Sequence, residues 1–207
     1  MSSRGVFIVF DGSEGSGKST QAARLRARLE GMGRSVLLVR DPGTTRIGEQ
    51  IRSILLNPDH QEMAMRCEML LYMAARAQMM AEVIGPALEE GKVVLSDRFV
   101  SSTLAYQLGG EGLSAEEIRR VADIAIRGRW PDLTLVFDMP VEQSMARVRR
   151  AKDRIEQRPM SYHEEVRRNY LSQAQGEPGR YRVIDASRSV EEVERAVWVA
   201  VEGVLAR

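Results

Sequence analysis

Residues 12–20 are Gly12, Ser13, Glu14, Gly15, Ser16, Gly17, Lys18, Ser19 and Thr20, a complete G-x-x-x-x-G-K-[ST] phosphate loop. The glycines let the backbone turn tightly enough for successive N–H groups to converge on phosphate oxygens. Lys18 adds a mobile point charge for outer phosphates, and the Ser19 hydroxyl suits one position around magnesium. The apolar run 6–10 leads into the loop, and a helical pattern (Ala22, Leu25, Leu29, Met32) leaves it. Motif, strand and helix in register imply a nucleoside triphosphate site with a place for Mg2+.

The elements that must hold such a loop are legible as alternating patterns. Short, nearly continuous apolar runs at 6–10, 36–39, 93–96, 134–138 and 181–184 suit strands buried on both faces of a parallel sheet. Helical patterns lie between them, two with capping boxes, Ser114 with Glu117 and Ser189 with Glu192. The expected fold is three-layer α/β, with a five-stranded parallel sheet between helices. No linker, repeat or low-complexity tract divides residues 1–207, so one phosphate-loop domain is expected, with a short lid at 147–160.

Ligands of open parallel sheets bind at the carboxyl ends of the strands. There the chain places Asp11, Arg40 with Asp41, Asp97 with Arg98, Asp138 and Asp185. Asp97 holds the place of the second acidic motif of phosphate-loop proteins, where a carboxylate can bind magnesium directly or through water. Arg98 offers a planar fork for phosphate, and Arg40 and Arg52 add two cations. One triphosphate with magnesium needs fewer cations than this, so a second, acceptor phosphate is implied.

Two stretches stay open on composition. The segment 62–84 reads as one long helix whose methionines fill core or a subunit contact. Within it Tyr72 and Arg76, four residues apart, form either a snorkelling surface pair or a pocket wall, and composition favours the surface pair. Arg147, Arg149, Arg150, Lys152, Arg154 and Arg158 form either a solvated basic helix or a flap closing over the triphosphate. The break in helical pattern at 153–156 favours the flap.

Lysine plus arginine number 30 against 29 acidic residues, so the net charge of +1 gives no field for capturing nucleic acid. No apolar run approaches the roughly 20 residues that span a bilayer, so no membrane partner is expected. The lone Cys67 rules out an intrachain disulfide and suits a reducing, cytoplasmic setting. An Asn-Lys-x-Asp strand end, the mark of guanine-specific switches, is absent from the sequence.

Across nearly its whole length the chain resembles the bacterial thymidylate kinases. The resemblance rests on residues 11–20, Arg40–Gly43, Tyr72–Arg76, Asp97–Gln107 and Asp153–Glu156, of which 97–107 is the most specific block. It implies transfer of the ATP γ-phosphoryl to dTMP, giving dTDP, by a homodimer. It also implies that Arg98, Arg40 and Arg52 hold the acceptor phosphate, with Asp11 and Asp41 on the same side. Tyr72 would stack on thymine, Arg76 and Gln107 would bond its edge, and Thr103 would lie against it. Tyr106 would occupy the space of a ribose 2′-hydroxyl, and Glu14 would meet the 3′-hydroxyl. A phosphate loop without arginine at 13–16 goes, in this family, with a basic lid, here carrying Arg149, Arg150 and Arg154. The chain departs from the family at Asp41 (usually glutamate), Thr44 (glycine), Tyr72 (phenylalanine) and Leu108 (glycine).

Overall fold

A computed structural model describes residues 5–148, 151 and 153–206. Its five strands are β1 (Val6–Gly12), β2 (Val36–Arg40), β3 (Val93–Asp97), β4 (Leu133–Asp138) and β5 (Tyr181–Asp185). All five lie where the apolar runs predict, with ends extended by a residue or two. They form one parallel sheet in the order β2-β3-β1-β4-β5. The chain leaves the central strand β1 for one edge and later returns on the other side of it. This makes the carboxyl end of β1 the switch point at which a ligand crevice opens.

The helices are α1 (Lys18–Gly31), α2 (Arg46–Leu56), α3 (Met65–Met79), α4 (Gly85–Glu89), α5 (Val100–Tyr106), α6 (Ala115–Ile126), α7 (Val141–Ala146), α8 (Met160–Gly176) and α9 (Val190–Leu205). Alternate residues of β1 point to opposite faces. Phe7 and Val9 join Met69, Met73, Met79 and Ile118 in one core, while Ile8 and Phe10 join Leu25, Leu29, Val193 and Val197 in the other. Helices therefore cover both faces, as expected. Both predicted capping boxes form: the Ser114 and Ser189 hydroxyls each accept from the N–H three residues on, and Glu117 and Glu192 bond back.

The single long helix expected over 62–84 is instead interrupted. After α3 the chain makes a π-helical turn at Met80–Ile84 before α4 begins. Pro86 lacks the N–H that would bond back one turn, and its ring crowds that carbonyl, which explains the local widening. The methionine reading holds for the core: Met69, Met73, Met79 and Met80 are buried. The arginine-rich stretch does not prolong α7 as a solvated helix. Residues 154–157 form a turn, in which Arg154, Ile155 and Glu156 are buried.

Candidate active site

The phosphate loop is shaped by close backbone approach. At Gly12 (φ 128°) a Cβ would fall 2.4 Å from the Phe137 carbonyl oxygen, and at Gly15 (φ 72°) 2.1 Å from that of Ser144. Any side chain there would push the loop off β4 and α7. Ser16 Oγ and Lys18 Nζ each donate to the Ser13 carbonyl at 2.7 Å, which closes the turn. Burial, followed by Arg98, pushes the Lys18 ammonium below its ordinary value, while Glu14, Asp97 and Asp11 oppose the shift. Ser19 Oγ donates to Asp97 Oδ2 at 2.5 Å, bringing together the hydroxyl and carboxylate expected around magnesium. Two hard oxygen donors beside a polyphosphate cradle fit that ion, which keeps several waters and needs few protein ligands.

Two hollows open from the carboxyl ends of the strands. The first is lined by Gly15, Gly17, Lys18, Ser19, Thr20, Arg40, Asp97 and Arg147. The second is lined by Tyr72, Arg76, Ser102, Thr103, Tyr106 and Gln107. Glu14, Asp41, Arg52 and Arg98 belong to the walls of both. The hollows are therefore neighbours that meet across a polar partition.

Arg98 is the centre of that partition. It has φ 71°, a left-handed backbone uncommon outside glycine, and is held there by its N–H on Phe10 O (2.9 Å) and by Ser96 Oγ on its carbonyl (2.6 Å). Its guanidinium donates to Glu14 Oε1 (2.5 Å), Ser102 Oγ (3.0 Å), the Tyr170 hydroxyl (3.2 Å) and the Tyr106 hydroxyl (3.4 Å). Burial works against its charge, but Tyr106, Glu14, Tyr170 and Asp11 outweigh it and hold the guanidinium well above its ordinary value. Burial in turn raises the Tyr106 phenol to about 12, against the pull of Arg98.

Five of the expected residues line neither hollow: Asp11, Arg154, Gly12, Ser13 and Ser16. Asp11 is fully buried behind Arg98, accepting from Ser101, Ser102 and Tyr170 at 2.5–2.6 Å, so it supports the partition from behind. Arg154 is not brought to the phosphate loop. Its Nε donates to Leu55 O (3.0 Å) and its Nη2 to Glu68 Oε2 (2.5 Å) on the acceptor side. Arg149 lies outside the described residues. In the turn of the loop Gly12 and Ser16 are buried and Ser13 is half-buried.

The surface-pair reading of Tyr72 and Arg76 is overturned. Arg76 is 0% exposed, with Nε and Nη2 on Asp41 Oδ2 at 2.8 and 2.5 Å, Nη1 3.3 Å from Thr103 Oγ1, and Nη2 3.1 Å from Phe99 O. The cause is tertiary: the turn after β2 sets a carboxylate against α3, which composition does not reveal. Burial raises the Asp41 carboxyl above its usual range despite Arg76, and Asp41 Oδ1 finds no partner among the described residues. Arg40, by contrast, is an exposed residue holding Glu49 at 3.0 and 3.2 Å.

Sequence reasoning missed Glu68, Ser101, Ser102 and Tyr170, whereas Arg147 of the arginine-rich segment lines the phosphate hollow. For Glu68 a signal existed: Glu68, Tyr72 and Arg76 recur at i, i+4, i+8 as a polar stripe on α3. Tyr170 gives no such signal, because its hydroxyl meets Asp11 only through packing of α8 on α5.

A phosphate loop that shares an arginine-centred wall with a second pocket defines a phosphoryl-transfer enzyme of the nucleoside monophosphate kinase class. The family model described as thymidylate kinase matches residues 10–197. A thymidylate kinase of Pseudomonas putida strain F1 is 48% identical, and one of Pelotomaculum thermopropionicum is 51% identical. These matches cover 98% of this chain, and 98% and 95% of the relatives. The crystal structure of thymidylate kinase from Ehrlichia chaffeensis superposes with a TM-score of 0.77 at 29% identity, covering 96% of this chain and 98% of that one. The chain belongs to the thymidylate kinase family.

Proposed function

We propose that the enzyme transfers the γ-phosphoryl of ATP to the 5′-phosphate of dTMP, giving dTDP, with ATP in the phosphate-loop hollow and dTMP in its neighbour. The observation that carries this is the shared wall, Arg98 with Glu14, Arg52 and Asp41, because the phosphoryl must cross where the pockets meet. The acceptor oxygen is already ionised near neutrality, so alignment and neutralisation of spreading charge do the catalytic work. The loop amides and Lys18 hold the outer phosphates. Ser19 and Asp97 would hold Mg2+, which when bound supplies further charge neutralisation on the donor phosphates.

On the acceptor side Arg98 and Arg52 grip the 5′-phosphate, with Arg40 at the rim. Tyr72 stacks on the base, Arg76, Gln107 and Thr103 meet its edge, Tyr106 crowds a ribose 2′-hydroxyl, and Glu14 takes the 3′-hydroxyl. From the arginine-rich segment, Arg147 lines the phosphate hollow and serves the transferring group in the conformation described. Arg149 is assigned to the same work by family resemblance alone. The same reading makes the enzyme a cytoplasmic homodimer. In support, Leu70 stands 53% exposed on α3 beside an exposed, unpaired Cys67, and no helix among the described residues is long and apolar enough to cross a membrane.

ADP release measured across dTMP, dUMP, dCMP and dGMP tests the assignment. dTMP should lead, with dUMP behind by a modest factor, since one methyl in an apolar contact is worth about 1–3 kcal/mol. Comparable turnover of all four would overturn it.

A further inference from the structure

Glu68 is a fully buried carboxylate to which the resemblance assigns no role, and one of its partners, Gln107, lines the acceptor cavity. Its Oε1 accepts from Gln107 Nε2 at 2.6 Å. Its Oε2 accepts from Arg154 Nη2 at 2.5 Å and Arg158 Nη2 at 2.9 Å. A carboxylate paired with two guanidinium groups only accepts, so it admits only the nitrogen end of the Gln107 amide. The two ends of a free amide are nearly alike in shape, and an unrestrained glutamine can present either. Here the turn is decided by Glu68, and the amide oxygen is the end left to accept from a ligand.

That choice carries chemical consequence. The edge of thymine presents a ring N–H beside carbonyl oxygens, whereas cytosine presents a bare ring nitrogen beside an amino group. Arg76 only donates and so serves a carbonyl, and an amide oxygen serves the ring N–H. The same oxygen set against the bare ring nitrogen of cytosine pairs acceptor with acceptor. An amide free to turn would remove that clash.

We propose that Glu68 is a positioning residue for base selectivity: it holds the Gln107 amide in the orientation that accepts from thymine and refuses cytosine. Through its second oxygen it ties that setting to Arg154 and Arg158, in and beside the arginine-rich turn. The inference rests on dTMP occupying this cavity.

The test compares kcat/KM for dTMP and dCMP in the wild type, Glu68→Gln, Gln107→Met and the double variant. A glutamine at 68 can donate as well as accept, so the dTMP:dCMP ratio should narrow by roughly tenfold or more, mainly through a lower KM for dCMP. In the Gln107→Met background the change at 68 should shift the ratio no further. Because Glu68→Gln removes the anion shared by the buried Arg154 and the half-buried Arg158, Glu68→Gln with Arg154→Met provides a second, less charged variant. An unchanged ratio in either folded variant overturns the proposal. So does a narrowing that persists without the Gln107 amide, which would mark a packing role. A wild-type enzyme with no preference for dTMP over dCMP would instead overturn the substrate reading, and the lock with it.

Discussion

The two hollows are built by opposite means. The phosphate hollow is built around a contiguous loop, residues 12–20, whose chemistry is mostly backbone and in which Gly12 and Gly15 approach β4 and α7 too closely for any side chain, with strand-end side chains completing its wall. The acceptor hollow is made by side chains from α2, α3, α5, α8 and the turns after β2 and α7, locked by buried ion pairs. A backbone cradle recognises any polyphosphate and tolerates little change in shape. A side-chain cage can distinguish one base from another, but each of its charges depends on a partner from elsewhere in the chain.

The largest expected effects break this division at its catalytic seam. Lys18→Ala removes the donor-side cation and should lower kcat by about a hundred- to thousandfold. dTMP affinity, read by calorimetry, should stay near wild type, because Lys18 does not line the acceptor hollow. Arg98→Ala should lower kcat by a similar factor and weaken dTMP as well, since Arg98 belongs to both walls. A wild-type rate in either variant would refute the roles given to them. A next, smaller effect is read as stability. Asp41→Ala leaves Arg76 buried without its anion, and urea unfolding should show a loss of about 3–5 kcal/mol. A loss under 1 kcal/mol would mean that the acceptor cage does not depend on that pair.

The same contrast governs what can be read from residues alone. The loop and all five strands are legible because their signals are local: a nine-residue motif, and apolar runs bounded by polar ends. The acceptor cage is legible only in part. Arg98 and Arg52 declare themselves as surplus cations near strand ends. Arg76 does not, because its burial depends on Asp41, 35 positions away in sequence. Glu68 announces a polar helix stripe but not its partners, and Tyr170 reaches Asp11 across 159 positions. Arg154 was expected over the triphosphate because charge and position both suggested it. The buried Glu68 carboxylate holds it elsewhere, and desolvation makes such a pair hard to leave half-made.

Acid sharpens the comparison beside the phosphate hollow, where Arg40 pairs with Glu49. The Thr44 N–H (2.9 Å) is the main influence holding the Glu49 carboxyl below its ordinary 4.5; desolvation opposes it and the Arg40 pairing adds to it. A depressed folded value means that this contribution is complete above 4.5 and is lost as pH falls through the folded value. Stability measured from pH 6 to pH 3 should therefore fall less steeply in Glu49→Gln than in the wild type; identical slopes would count against the assignment. The smallest effect is a control remote from both hollows. Ser114→Ala removes the cap of α6 and should cost about 1 kcal/mol of stability, with kcat and KM unchanged.

The central claim is that donor and acceptor occupy two joined hollows across the Arg98 wall. Calorimetric titration with adenosine and thymidine linked 5′ to 5′ through a polyphosphate bridge tests it most directly. Joined hollows predict affinity well beyond that of ATP or dTMP alone, and loss of that gain in Arg98→Ala. A linked ligand that binds no better than ATP, leaving dTMP still able to bind beside it, would contradict the account.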